Sequence, residues 1–255
     1  MTAQALPDNA VLENAIWASM TGAHAHLTEG TDRARRYLPT IAPFVGINDI
    51  DDPRTWTELA QLVGPGQEVA VPRDVDNLPE GWTVVMSGPG VQMIATAAVE
   101  PMPFDEAIRL GADDVQDMLA LIARTEPGPF LPETYRLGTY LGVRREGKLI
   151  AMAGERLHPP GWTEISAVCT DAEFRGQGLA TRLVLAVADG IYARGETPFL
   201  HAAATNTNAI ELYKHLGFVL RADITFTVVR TPSTVPFQPP TVPLSSPTVP
   251  KSTLA

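Results

Sequence analysis

The sequence predicts a mixed α/β chain in which a mostly antiparallel sheet is flanked by helices, and three observations carry that reading. Hydrophobic residues make up 45% and charged residues 19% of the 255 residues, the balance of a chain that folds around a core. Strand-like and helix-like periodicities alternate from about Phe104 to Arg230. Within that stretch a helix from about Gly178 to Arg194 repeats Leu179, Leu183, Val187 and Ile191 every four residues, a stripe that must face a core.

Taken in order, the first hundred residues read as a small α/β lobe. A helix is expected over Ala10–Met20, then irregular chain at Pro39 and Pro43, a helix over Thr55–Val63, and short strands within Gln67–Arg73, Trp82–Gly88 and Val91–Val99. That order admits a degenerate copy of the second half, without a residue-level repeat to mark it. Pro101 and Pro103 set the expected boundary, giving a lobe over 1–100 and a domain over 104–230. In the latter, Ala112–Thr125 places Val115, Met118, Leu119 and Ile122 on one helical face. Three strand-like runs follow, at 138–147, 148–158 and 162–170, separated by Glu146-Gly147 and by Pro159-Pro160-Gly161. They read as an antiparallel meander. After the long helix come a strand at 198–204, a helix over Asn208–Leu216 closed by Gly217, and a last strand over Phe218–Val229. Thr231–Ala255 contains seven prolines and a repeated T-V-P, so an extended, disordered tail is expected there, either solvated or a docking segment for a proline-reading partner.

Composition narrows the functional classes. A formal charge of −10 repels phosphate backbones and anionic membranes, so neither nucleic acid nor membrane is an expected partner. A single cysteine, Cys169, allows neither an internal disulfide nor a thiolate zinc cluster, and His24 and His26, two residues apart, do not share a helical face; no metal is expected. The first residues lack a basic segment ahead of an apolar run, and no later run reaches the ~18 apolar residues of a membrane helix. A cytoplasmic location is the expectation. Oligomeric state is not legible.

The segment Ile165–Val184 carries chemistry. An apolar strand ends, an acidic, glycine-containing loop follows, and a helix begins. A helix start presents unpaired N–H groups and partial positive charge, Gly176 and Gly178 allow close backbone approach, and Arg175 adds a cation. This is an anion site made from main chain. Two other readings compete: a connecting turn, and a dinucleotide fold, against which Thr181 occupies the place of the third glycine and no acid follows in the next strand.

The run A-V-C-T-D-A-E-F-R-G-Q-G-L-A resembles the acetyl-CoA motif of the GNAT N-acetyltransferase superfamily, Q/R-x-x-G-x-G/A, here Arg175-Gly176-Gln177-Gly178-Leu179-Ala180. Further on, N-T-N-A-I-E-L-Y-K-H-L-G-F (206–218) is similar to the family's N-x-x-A-x-x-L-Y-x-x-x-G-F. The resemblance covers roughly Phe104–Arg230; the wording T-E-I-S-A-V-C-T and the N-terminal extension are also similar to the glycine N-acyltransferase-like branch. It implies an acetyl-CoA-dependent N-acyltransferase moving an acetyl group to a primary amine of a small molecule or peptide. Val168, Cys169 and Thr170 would then hydrogen-bond the pantetheine arm, the amides of Arg175, Gly176, Gln177, Gly178, Leu179, Ala180 and Thr181 would cradle the pyrophosphate, and Asn206 would contact the cofactor. Tyr213 would be the general acid, or else a core aromatic. For the base, Glu164, His201 and no dedicated group all stay open. Cys169 is expected to be a packed or cofactor-lining thiol, and Asn208 with Glu211 a capping box. A CoA-binding sensor or scaffold is the alternative from another class.

Overall fold

The structure, a computed structural model, describes residues 7–71, 75 and 77–234. Most of the expected tail therefore lies outside the described residues. In chain order the elements are α1 (Ala15–Thr21), β1 (Thr28–Gly30), β2 (Ala34–Tyr37), β3 (Val45–Ile47), α2 (Pro53–Val63), β4 (Glu68–Val71), β5 (Thr83–Ala95), β6 (Ile108–Leu110), α3 (Val115–Thr125), β7 (Tyr140–Arg145), β8 (Lys148–Glu155), β9 (Trp162–Thr170), α4 (Leu179–Ala193), β10 (Thr197–Ala203), α5 (Thr207–His215) and β11 (Phe218–Arg230). Among the described residues no helix is long and apolar enough to cross a membrane.

Eight strands form one sheet in the order β4-β11-β5-β10-β9-β8-β7-β6. All neighbours are antiparallel except β9 and β10. The meander β7–β8–β9 forms as its turn residues require: Glu146 and Gly147 both take positive φ (50° and 82°), the backbone of a two-residue hairpin turn. Neighbouring side chains along β8 serve different cores. Ile150, Ala151 and Ala153 pack with α4, whereas Leu149 and Met152 pack with α3. Such double burial accounts for the near-continuous apolar run in this strand. The stripe Leu179, Leu183, Val187 and Ile191 is fully inside, and Phe199, Trp162, Ile94 and Leu157 bind the opposite face of the sheet to α1 and β2.

Residues 28–47 form a separate three-stranded antiparallel sheet, packed against α1 and α2. The expected division at Glu100–Phe104 is not a division of the large sheet, because β5 runs between β10 and β11 and β4 pairs with β11. Two further expectations are corrected. Gly88-Pro89-Gly90 does not break the chain into two strands: β5 is continuous, paired to β11 from Thr83 to Ala95, and Pro89 sits just beyond the last β10 pair, Ala203↔Gly90, where β5 is losing one of its two partners. Gly90 is needed there because a Cβ would collide with the Phe226 ring. The expected first helix begins instead as a 3-10 turn, Ala10–Asn14, before α1.

His24 couples the small sheet to the meander. Its ring nitrogens are joined to the Tyr37 hydroxyl (2.8 Å) and to the Leu137 carbonyl (3.0 Å), where Nε2–H donates. Burial, with the His158 ring nearby, pushes its pKa down to about 4. The folded form thus resists a proton that the unfolded chain accepts near pH 6.5, so this stabilisation is complete above pH 6.5 and shrinks as pH falls toward 4. Denaturant titration should show a loss of about 2 kcal/mol between pH 7 and pH 5 from this group. His24→Gln should flatten that slope; an unchanged slope would remove His24 as its source.

Candidate active site

The cleft arises where β9 and β10 separate. Their parallel pairing runs from Trp162↔Thr197 to Ile165↔Leu200 and stops. Beyond that point β9 continues on β8 alone and β10 continues on β5 alone. The separation coincides with a bulge: the β8 register slips between Met152 and Gly154, and Ala167 takes φ +52°, a conformation that costs an L-residue roughly 1–2 kcal/mol. On the β10 side, Ser166–Thr170 have no strand partner. The Thr170 hydroxyl is buried with no hydrogen-bond partner among the described residues, an unmet polar group at the lip of the cleft. The loop after β9 is held by Asp171, which accepts from Arg124 Nε and Lys148 Nζ, both at 2.9 Å.

Gly176 and Gly178 both have positive φ (77° and 72°), and nothing lies within 4 Å of where their Cβ atoms would be. Gly178 caps α4, and the amides of Gly176–Thr181 have no backbone acceptor among the described residues. Leu179 buries its side chain in the core and offers only its amide. Gln177 and Arg175 are exposed, the latter donating from Nε to the Thr170 carbonyl (3.2 Å). An open nest of amides beside an orphaned hydroxyl suits a long molecule with an anionic middle and a polar arm.

The other predicted residues distribute as follows. Val168 packs on the core beneath α4. Cys169 turns its thiol the other way, toward Met118 and Leu121 of α3, where burial pushes its pKa up to about 11; it is a packed thiol, and only its main chain can face the cleft. Asn206 caps α5 by accepting from the Ala209 amide (3.2 Å). The expected capping box of Asn208 and Glu211 is thereby corrected: the helix starts two residues earlier than that pairing needs, and Glu211 binds Lys214 instead (2.8 Å). Tyr213 is buried edge-on to Phe218, its hydroxyl without a hydrogen-bond partner among the described residues, and burial raises its pKa to about 12. It stays protonated throughout the neutral range.

Glu164 is not a free carboxylate. It has no exposed surface, accepts from Arg156 Nε (2.8 Å) and Nη2 (2.5 Å), and accepts from His201 Nδ1 (2.7 Å). Burial opposes its charge, but the Arg156 guanidinium and His201 prevail and hold the pKa at about 2. A carboxylate so held is poorly placed to take a proton from an amine, and the geometry makes it a partner for His201. On its other side His201 Nε2 lies 2.9 Å from Gln92 Nε2. The Gln92 amide is oriented by two further contacts, Nε2 donating to the Leu12 carbonyl (3.1 Å) and Oε1 accepting from Arg221 Nη1 (3.0 Å). His201 is therefore neutral here, Nδ1–H donating to Glu164 and Nε2 accepting from Gln92.

This chain of side chains floors a cavity of about 260 Å³ walled by Leu12–Ile16, Phe44, Ile47 and the 221–226 stretch of β11. Sequence reasoning missed Arg156, Gln92 and Arg221. Only Arg156, a lone cation at the end of an apolar strand, left a signal in the sequence.

Comparison with known proteins matches this architecture. A family model described as FR47-like protein matches residues 140–227, from β7 into β11. A solved structure of a GNAT-family acetyltransferase from Novosphingobium aromaticivorans is 39% identical and superposes over 88% of this chain and 99% of its own, with a TM-score of 0.79. The chain belongs to the GNAT N-acetyltransferase superfamily. A mycothiol acetyltransferase from Thermomonospora curvata is 29% identical over 161 residues, 63% of this chain; the chain spans about half the length of that curated relative. A GCN5-related N-acetyltransferase from Kribbella flavida, 15% identical with a TM-score of 0.57 over 86% of this chain and 95% of its own, shares the fold. As a GNAT chain, this one takes its completing strand β5 from the N-terminal half.

The Glu164 ion pair makes a stability prediction. Glu164→Gln leaves the buried Arg156 without its counter-charge and should cost about 3–5 kcal/mol, seen as a large drop in Tm, whereas Glu164→Gln combined with Arg156→Met should recover most of it. A double variant no more stable than the single would show that the pair is not the cause.

Proposed function

We propose that this chain is an acetyl-CoA-dependent N-acetyltransferase that moves the acetyl group directly to a primary amine held in the 260 Å³ cavity. The observation that carries the reading is the junction of two half-sites at one strand parting: an anion-ready nest at 175–181 after β9, and a walled cavity with the His201 imidazole on β10. Acetyl-CoA enters as co-substrate. The amides of Arg175 to Thr181 suit its pyrophosphate, the main chain of Val168–Thr170 and the Thr170 hydroxyl suit its pantetheine, and Asn206, the cap of α5, is the residue that the family motif assigns to the cofactor.

The chemistry needs a neutral amine, a held thioester and a proton for the departing sulfur. The amine nitrogen forms a bond to the acetyl carbon, the carbon–sulfur bond breaks, and the thiolate takes the Tyr213 proton. His201 accepts the proton that the amine loses, once the acceptor displaces the Gln92 amide from Nε2, and Glu164 stabilises the imidazolium formed. A peptide amine and a free small molecule are both amines; the enclosed cavity favours the small molecule.

Calorimetry with acetyl-CoA, paired with thiol release over an amine panel, tests the reading. Binding with turnover supports it, binding without turnover supports a sensor, and no binding at millimolar acetyl-CoA overturns it. Two variants test the roles. Gly178→Glu places a carboxylate and a strained Cβ in the nest and should raise the acetyl-CoA Kd at least 100-fold; an unchanged Kd would empty the assignment. Tyr213→Phe should lower kcat 10- to 100-fold with acetyl-CoA affinity within about two-fold of the parent, and an unaltered kcat would return Tyr213 to the core.

A further inference from the structure

Arg221 is the guanidinium of the cavity whose hydrogen bonds go to neutral groups. It sits at an irregularity of β11: Leu220 pairs with Met93 and Ala222 with Gln92, so Arg221 is the extra residue of a bulge. Bulges re-aim a side chain, and this one brings a guanidinium into the cavity wall. Its hydrogen-bond partners are neutral: Nη1 donates to the Gln92 amide oxygen (3.0 Å), Nη2 donates to the Asn9 carbonyl (2.9 Å), and the buried Nε–H has no acceptor among the described residues. The nearest carboxylate belongs to Glu13, 3.6 Å from Nη2 on a side chain 74% exposed. Arg156, the other guanidinium of the cavity, is by contrast bidentate to the buried Glu164. Glu13 and Asp223 also line the cavity, so what marks Arg221 is its unfilled Nε–H and its long, exposed ion pair, not a net charge. A guanidinium 12% exposed with an unmet donor and no short bond to a carboxylate is costly to keep unless an anion completes it.

We propose that Arg221 is an anion subsite within the acceptor cavity, and that the acceptor is a small amine which also carries a carboxylate. The proposal rests on the acetyltransferase reading and supplies its substrate class. Size agrees: at about 260 Å³ the cavity lies below the range that holds drug-sized ligands and suits a compact amino-acid-like molecule. Position agrees too. His201 and Arg221 share one neighbour, with the donor end of the Gln92 amide on His201 and its acceptor end on Arg221. An amine directed to His201 and a carboxylate directed to Arg221 therefore need only a few bonds between them. Glu13, at the rim, competes for the same guanidinium and is displaced or repelled when the acceptor binds.

The experiment uses the whole chain with acetyl-CoA and matched acceptor pairs, each a small amino acid and its carboxamide, followed by thiol release. In the parent, the acids should be preferred by at least ten-fold in kcat/KM, mostly through KM. Arg221→Gln should bring the acid-to-carboxamide ratio to near one, and Arg221→Lys, which keeps the charge without the fork, should fall between. Glu13→Gln, a change on an exposed side chain, should lower KM for the acids two- to three-fold and leave that for the carboxamides. Equal use of acids and carboxamides by the parent, or an acid preference that survives in Arg221→Gln, overturns the anion subsite while leaving acetyl transfer standing. Acetyl-CoA binding with no turnover of any pair overturns the subsite as an acceptor site, and no acetyl-CoA binding overturns the underlying reading.

Discussion

One buried negative charge organises the centre of this protein. Glu164 lies wholly inside, between Arg156 at the end of β8 and His201 on β10. Removing such charges from water costs several kcal/mol for each ion, and a pair in contact returns a similar amount only if its geometry is good and its remaining donors are filled. Arg156 is bidentate to the carboxylate and its guanidinium lies 5.1 Å from the Phe44 ring centre, while backbone bonds tie the chain after β8 to β9, Arg156 N to Glu164 O at 3.0 Å and Glu164 N to Leu157 O at 2.8 Å. The net stability of the pair is therefore modest, but its specificity is high: any slip of β8 on β9 or of β9 on β10 would strand a charge. The register that the pair locks is the one that ends at Ile165↔Leu200, and so fixes where the cleft opens.

From that charge the network runs through His201 and Gln92 to Arg221, crossing β9, β10, β5 and β11 in spatial order. Gln92 belongs to the N-terminal half of the chain, and so do Leu12–Ile16, Phe44 and Ile47 of the cavity wall. The N-terminal half is thus structurally part of the acceptor side. It completes the sheet, orients the imidazole and encloses the cavity, while the nest after β9 comes entirely from the C-terminal half.

The sequence rendered the C-terminal half legible because local signals there agree with the fold. Glu146-Gly147 has the residues a tight hairpin wants, the four-residue stripe of α4 is long, and Gly176 and Gly178 are the residues that a left-handed backbone selects. Local signals failed where a non-local partner decided the outcome. Gly88-Pro89-Gly90 reads as a break, yet pairing with β11 along its whole length keeps β5 straight. Glu164 reads as a free carboxylate and a candidate base, but its environment depends on Arg156 across a turn. Asn208 has capping-box spacing with Glu211, yet Asn206 captures the helix start first. Arg221 had no local signature at all, since a bulge is a property of two strands and is invisible in one.

The same distinction between local and global governs charge. A net of −10 is a sum over surface groups, and at physiological ionic strength each of these is screened beyond about 8 Å. The nest at 175–181 draws on backbone dipoles, which do not enter that sum, and Arg221 is only 12% exposed, where screening is weaker than at the surface. An acidic chain can therefore hold two anions within one cleft, provided the groups that hold them are either main chain or buried. The surface field acts instead on approach: it opposes any anionic ligand until it reaches the mouth, so that retention, once inside, must come from short-range contacts and not from steering.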